Sequence, residues 1–267
     1  MLRWSINLFR IRGIQLSLHF SFFLLLGYAA WLGFWDEGIF GLVWSCTLLI
    51  SFFSCVVLHE LGHSLTAQYF GIKVKRILLM PIGGMAEFET IPSNPTKELW
   101  ITLAGPAVNA VIALSLLPFF WNSGSLISLD NTNSLAGLMR SLLAANIIMG
   151  LFNLIPIFPM DGGRILRALL AFRLPYIRAT FYAASLGKLL AIVAVTAVIF
   201  FPGSIPFLSP NPFMMVVLFS FIFFAGESEY KYLLRREKEE LYIKSLIEKN
   251  RISLDTLTDP LDVPPFL

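Results

Sequence analysis

Charge, sulfur and histidine are all scarce in this chain. Only 14% of its 267 residues are Asp, Glu, Lys or Arg, against about 25% in an ordinary soluble domain. That excludes a solvated globular surface over most of its length. The net charge of +3 is small, and the basic residues gather at the N-terminus, in a few loops and in the tail. Nucleic-acid binding is therefore not implied. There are two cysteines, Cys46 and Cys55. Nine residues apart on one predicted helix, they stand about 13.5 Å apart along its axis. They cannot pair, which excludes a disulfide framework. No internal repeat or low-complexity segment is visible.

What is present is apolar. Hydrophobic residues make up 57% of the chain, and the mean hydropathy is +0.74. A membrane helix needs about 20 apolar residues. Six segments qualify: 14–35, 39–70, 99–121, 135–155, 177–201 and 211–226. The expected fold is an all-α polytopic membrane protein of about six transmembrane helices. Arg3, Arg10 and Arg12 before the first run resemble a signal peptide. The run itself is longer than a typical signal core, so a retained anchor is expected.

Basic residues set the orientation. Lys73, Lys75, Arg76 and Lys97 flank the connection between the second and third segments; Arg164, Arg167, Arg173 and Arg178 follow the fourth; Lys231, Arg235, Arg236 and Lys238 follow the sixth. The opposite loops carry Asp36, Glu37 and Asp130, the loop 202–210 carries no charge, and only Arg140 stands clearly as a cation on that side. The positive-inside rule then places both termini in the cytoplasm. Lys188 lies inside the fifth segment and is expected to snorkel to the cytoplasmic edge.

The connection 72–98 does not read as a helix. Apolar residues flank Pro81-Ile82-Gly83-Gly84 on both sides, which predicts a short membrane-associated β-hairpin between helices two and three. Residues 227–267 are charged and predict a cytoplasmic tail, helical to Asn250 with a loose end. The expected organisation is a membrane-embedded core over 1–226 and a cytoplasmic helical tail over 227–267.

The chemistry is concentrated in His59-Glu60-Leu61-Gly62-His63. Residues four apart on a helix share a face, so both histidines can grip one metal ion. Glu60 lies about 100° around from His59, beside such an ion, where a carboxylate can deprotonate a water. His63 is ten residues before Lys73, about 15 Å along a helix, which puts the metal below the cytoplasmic surface. Polar groups at that depth are costly unless they line a wet cavity. Cys55, one turn before His59, reads as a small apolar residue or an extra ligand. His19 reads as an interfacial histidine.

A catalytic zinc needs a third ligand. Glu87 and Glu89 qualify by depth. Asp161 qualifies more strongly, in Asn153-Leu154-Ile155-Pro156-Ile157-Phe158-Pro159-Met160-Asp161-Gly162-Gly163-Arg164. Two prolines break the helix there, and two glycines are expected to turn the backbone tightly.

The His-Glu-x-x-His string, followed about 90 residues later by Asn-x-x-Pro-x-x-Pro-x-Asp-Gly-Gly, resembles the site-2 protease family of intramembrane zinc metalloproteases. Gly83-Gly84, Ala104-Gly105-Pro106 and Asn109 extend the resemblance, which covers about 14–226. It implies that His59, His63 and Asp161 bind one zinc, that Glu60 is the catalytic base, and that Asn153 contacts the substrate backbone. Pro-Met-Asp-Gly-Gly-Arg-Ile-Leu-Arg is most similar to the six-helix branch, which often ends in paired CBS domains. Here the connection 72–98 is too short for a PDZ domain and the tail is too short for a CBS pair, although 252–263 could be a fragment of one. Asn109 otherwise reads as a residue tying helices together by hydrogen bonds.

The expected function is that of an intramembrane zinc endopeptidase. It would hydrolyse a peptide bond within or near a transmembrane segment of a membrane-protein substrate, which must unwind locally. The partners expected are that substrate and the lipid bilayer, with no nucleic acid; the sequence fixes no oligomeric state. The rival reading is a zinc-binding membrane transporter or a catalytically dead scaffold. A transporter has no need of Glu60 between two ligands, and no repeated helix pattern supports one. Reporter fusions at Ser5 and after Arg236 should both report the cytoplasmic side. An outward reporter at Arg236 would remove 211–226 from the spans.

Overall fold

The computed structural model describes residues 4–89, 94–120, 133–200 and 212–257. Its elements are β1 (Ser5–Ile11), β2 (Ile14–His19), α1 (Phe20–Tyr69), β3 (Val74–Met80), β4 (Gly83–Phe88), α2 (Pro95–Leu116), a 3-10 turn (Leu117–Phe120), α3 (Leu135–Asn153), α4 (Asp161–Ala171), α5 (Tyr176–Phe200) and α6 (Pro212–Leu257). The loop around Asp130, the loop 202–210 and the end of the tail lie outside the described residues.

The fold is mostly helical, but it is not all-α with a lone hairpin. Four strands form one sheet in the order β1-β2-β3-β4. β1 and β2 pair antiparallel, β2 and β3 parallel, and β3 and β4 antiparallel. The first apolar run therefore begins as a strand, not as a membrane helix. Ile14, Leu16 and Leu18 alternate with Gln15, Ser17 and His19, the two-residue period of a half-buried strand. The long apolar stretch behind them hides that period in a hydropathy window. Arg12 and Gly13 both adopt positive φ, 48° and 85°, as a two-residue hairpin turn matched to strand twist requires.

α1 holds the first two apolar segments, and it is not straight. Glu37 and Gly38 break it, Gly38 with φ 63° and ψ −142°, a region that favours glycine. The rings of Phe22 and Phe53 pack edge to face with centroids 4.9 Å apart. A straight helix would put them about 46 Å apart, so the arms 20–36 and 39–69 fold back on each other. Asn133 donates a hydrogen bond to Glu37 at this bend.

His19, expected at an interface, caps α1. Its Nδ1 accepts from the Ser21 backbone N–H at 3.3 Å. At α2, Pro95 occupies the first turn and the Asn94 side chain accepts from the Thr96 and Lys97 N–H groups. Ser134 caps α3 in the same way, accepting from Gly137.

Among the described residues, four helical stretches are long and apolar enough to cross a membrane: α1, Pro95–Phe120, α3 and α5. The inner face of the sheet, with Ile14, Leu16, Ile77 and Leu79, packs with Phe53, Val56 and Ala67 of the arm 39–69. This core sets the sheet against the arm that carries the two clustered histidines.

The chain divides into compact units 1–179 and 180–267. Within the second, Lys188 does not simply snorkel. It pairs with Glu227 at 2.7 Å, and Lys231 approaches the same carboxylate at 3.2 Å. Hydrogen bonds from Lys188 and then Lys231 hold Glu227 below the usual carboxylate range. α6 shows no break at 226 and continues past Asn250 to Leu257.

Candidate metal centre

His59 and His63 lie one turn apart on the arm 39–69 and are both buried. Their Nε2 atoms are 3.1 Å apart. Asp161 Oδ2 completes a triangle, 3.2 Å from each. Four ligand atoms about 2.0–2.1 Å from a tetrahedral zinc stand about 3.3–3.4 Å from one another, close to the edges of this triangle. Asp161 Oδ2 is buried and accepts no aligned hydrogen bond. Two imidazoles and a carboxylate converging on one point, with that oxygen left unsatisfied, fit a zinc ion.

Each corner has a local cause. The histidines meet through the four-residue helical spacing. Asp161 is the first residue of α4, where the positive end of the helix favours a carboxylate. The expected glycine turn after it does not exist. Gly162 and Gly163 are helical, and a side chain on either would run into the backbone of Ile155 or Ile157. Their smallness lets the α4 start nest against the preceding loop. Glu87 is engaged elsewhere, accepting two hydrogen bonds from Arg76 across the β3–β4 ladder at 2.9 and 3.0 Å. Neither Glu89 nor buried Cys55 belongs to the converging group.

α2 supplies what surrounds the histidines. His63 Nδ1 donates to the Ile101 carbonyl at 2.8 Å, which fixes the ring and leaves Nε2 unprotonated toward the other two corners. Pro106 has no N–H to give Thr102, so the α2 ladder is already open at this turn. Gly105 lies flat against both rings: a methyl group there would collide with His63 and lie 2.8 Å from His59 Cε1. These roles of Ile101 and Gly105 escape the sequence reading. The proline inside an apolar helix, next to a glycine, is the signal that marks the place.

Glu60 stands beside the group without joining it. The first residues of β4 pass over it, and a Cβ on Gly84 would lie 2.5 Å from Glu60 Cγ and 3.3 Å from Oε1. Asn153 is the last residue of α3 and is half-buried. Its side chain makes no hydrogen bond among the described residues, so nothing there ties it to the triangle. Asn109 is fully buried, and among the described residues neither of its side-chain polar atoms is hydrogen-bonded, so it ties no described helices together by such bonds.

Residues 47–128 and 124–194 match the model of peptidase family M50. A zinc metalloprotease of Methanocaldococcus jannaschii is 38% identical over 230 residues, covering 85% of this chain and 61% of that protein. Stage IV sporulation protein FB of Bacillus subtilis is 33% identical over 135 residues, 50% of this chain and 42% of its own length. This chain thus spans less than two-thirds of either relative. Among solved structures, a site-2 protease from Methanocaldococcus jannaschii superposes with a TM-score of 0.59 at 38% identity, covering 85% of this chain and 95% of that one.

The packing around the triangle makes a direct prediction. Gly105→Ala should displace the His63 ring and lower metal affinity about 10–100-fold, the usual cost of disturbing groups that orient ligands. Titration of the purified protein with zinc against a competing chelator measures it.

Proposed function

The chain belongs to peptidase family M50, the site-2 protease family, and from that membership we propose that it is a membrane zinc endopeptidase. Its substrate would be another membrane protein, cut within or near a transmembrane segment. The observation that carries this reading is the convergence of His59 Nε2, His63 Nε2 and Asp161 Oδ2 at 3.1–3.2 Å, with Glu60 alongside on the same apolar arm.

His59, His63 and Asp161 would hold one zinc. Bound there, zinc supplies Lewis acidity: it lowers the pKa of a water and polarises a carbonyl oxygen. Glu60 takes the proton from the attacking water and returns it to the leaving amine. His63 keeps its ring fixed through Ile101 and needs no proton of its own. Gly84 lets the start of β4 lie close against the Glu60 side chain, where a larger residue would displace it.

A peptide bond inside a transmembrane helix is shielded by its own hydrogen bonds, so the substrate must open locally. β4 is the edge strand of the sheet, and an extended segment can pair with such an edge. The site would lie below the cytoplasmic surface: α1 runs on only to Tyr69, six residues or about 9 Å of helix beyond His63. Both termini would be cytoplasmic, with the catalytic core in 1–226 and a helical tail beyond it. Asn153, eight residues before Asp161, would donate a hydrogen bond to the substrate backbone.

Three variants test this. Glu60→Gln should keep one zinc per chain and lose turnover by at least the 10²–10⁴-fold typical of general-base work. Asp161→Ala should lose zinc as well. A Glu60→Gln protein that still cleaves a reconstituted transmembrane substrate would remove Glu60 as the base, whereas a wild-type protein that binds zinc without cleaving would favour the transporter or scaffold reading. Asn153→Ala should bind zinc normally and cleave about 10–100-fold more slowly, reflecting a hydrogen bond of about 1–3 kcal/mol. Wild-type rates in that variant would remove Asn153 from the substrate site.

A further inference from the structure

Unit 1–179 contains a fully buried ion pair outside the triangle. Glu98, in the first turn of α2, is 3% exposed, and Arg167, on α4, is 2% exposed. Arg167 Nε and one Nη donate to the same Glu98 oxygen at 2.8 and 2.5 Å. The guanidinium is also flanked by two aromatic rings, Phe158 at 5.2 Å and Tyr176 at 5.0 Å. A guanidinium can sit in such a place only when paired and packed on every side.

The connections of this pair are specific. Arg167 lies six residues after Asp161 on the same eleven-residue helix. Phe158 lies three residues before Asp161. Glu98 lies three residues before Ile101, whose carbonyl holds His63. One turn of α2 thus touches the ring of one proposed ligand and, through Arg167, the helix that presents another. A helix as short as α4 has little stability of its own, so its position is set by what anchors it.

We propose that the Glu98–Arg167 pair is a positioning clamp that holds α4 against α2 and so keeps Asp161 within reach of the two histidines. It touches neither substrate nor metal. The inference rests on the reading of His59, His63 and Asp161 as the metal ligands.

The test uses the full chain purified in detergent, with zinc affinity and the ligand-field spectrum of the cobalt-substituted protein as readouts. Arg167→Met strands the Glu98 carboxylate and can misfold, so the decisive variant is the apolar pair Glu98→Leu/Arg167→Met, which strands no charge. Thermal unfolding reports its fold. The clamp predicts that this double variant folds with near-wild-type stability, yet binds zinc about 10–100-fold more weakly and shows an altered cobalt spectrum. Arg167→Lys, which keeps the charge but loses the two-pronged bond, should fall between wild type and the double variant. A folded double variant with wild-type affinity and spectrum overturns the clamp. Asp161→Ala is the control for the underlying reading: an unchanged cobalt spectrum there removes Asp161 as a ligand, whatever the clamp variants do.

Discussion

Everything at the candidate centre depends on how closely two helices approach. The arm 39–69 and α2 pass each other where Gly62 lies against the Ala104 backbone and Gly105 against the two rings, and a Cβ on either glycine would have no room. In a lipid environment apolar burial does not drive helices together, and tight packing of small residues does more of that work. At this crossing the packing also brings the Ile101 carbonyl to His63 and the flat face of Gly105 to both imidazoles. A bulkier contact would part the helices, and the ring of His63 would lose its orientation before any ligand was mutated.

The sheet adds a second constraint from the other side. Its apolar face lies on the arm 39–69, and its last strand begins with two glycines over Glu60. On the hairpin Arg76 and Glu87 pair with each other, so Glu87 does not compete for the centre. What remains near the histidines is one carboxylate in the triangle, Asp161, and one beside it, Glu60. Under the proposed function, that division would separate metal binding from proton transfer.

The parts legible in the sequence were those coded locally. Histidines at four-residue spacing need only a helix to meet, and an apolar run long enough to span is read from composition. Asp161 does converge with the two histidines, but only part of the reason that singles it out in the sequence holds. The prolines did end α3, but the glycines that suggested a turn proved to be close-packed helical residues. The strands at Ser5–Ile11 and Ile14–His19 were missed because their partner is distant: β2 pairs in parallel with β3 across the whole of α1. Glu98 and Arg167 are 69 residues apart, and each alone looks like an ordinary charge flanking an apolar segment.

The distribution of polar groups separates the two kinds of cost this fold carries. Glu98 and Arg167 offset each other's charge, although Glu98 Oε2 is itself buried without an aligned partner. In the triangle the carboxylate faces two imidazoles instead. Its Asp161 oxygen and the outer nitrogen of His59 are buried without an aligned partner, and the protein alone leaves both unsatisfied. Buried polar atoms left in this state are rare in folded chains. A divalent cation at the triangle would neutralise the carboxylate and engage both inner nitrogens at once. The groups packed around the triangle hold its corners in place. Rigid packing at Gly62, Ala104 and Gly105 serves the same end, because a triangle free to relax would find internal hydrogen bonds and lose its use as a metal site.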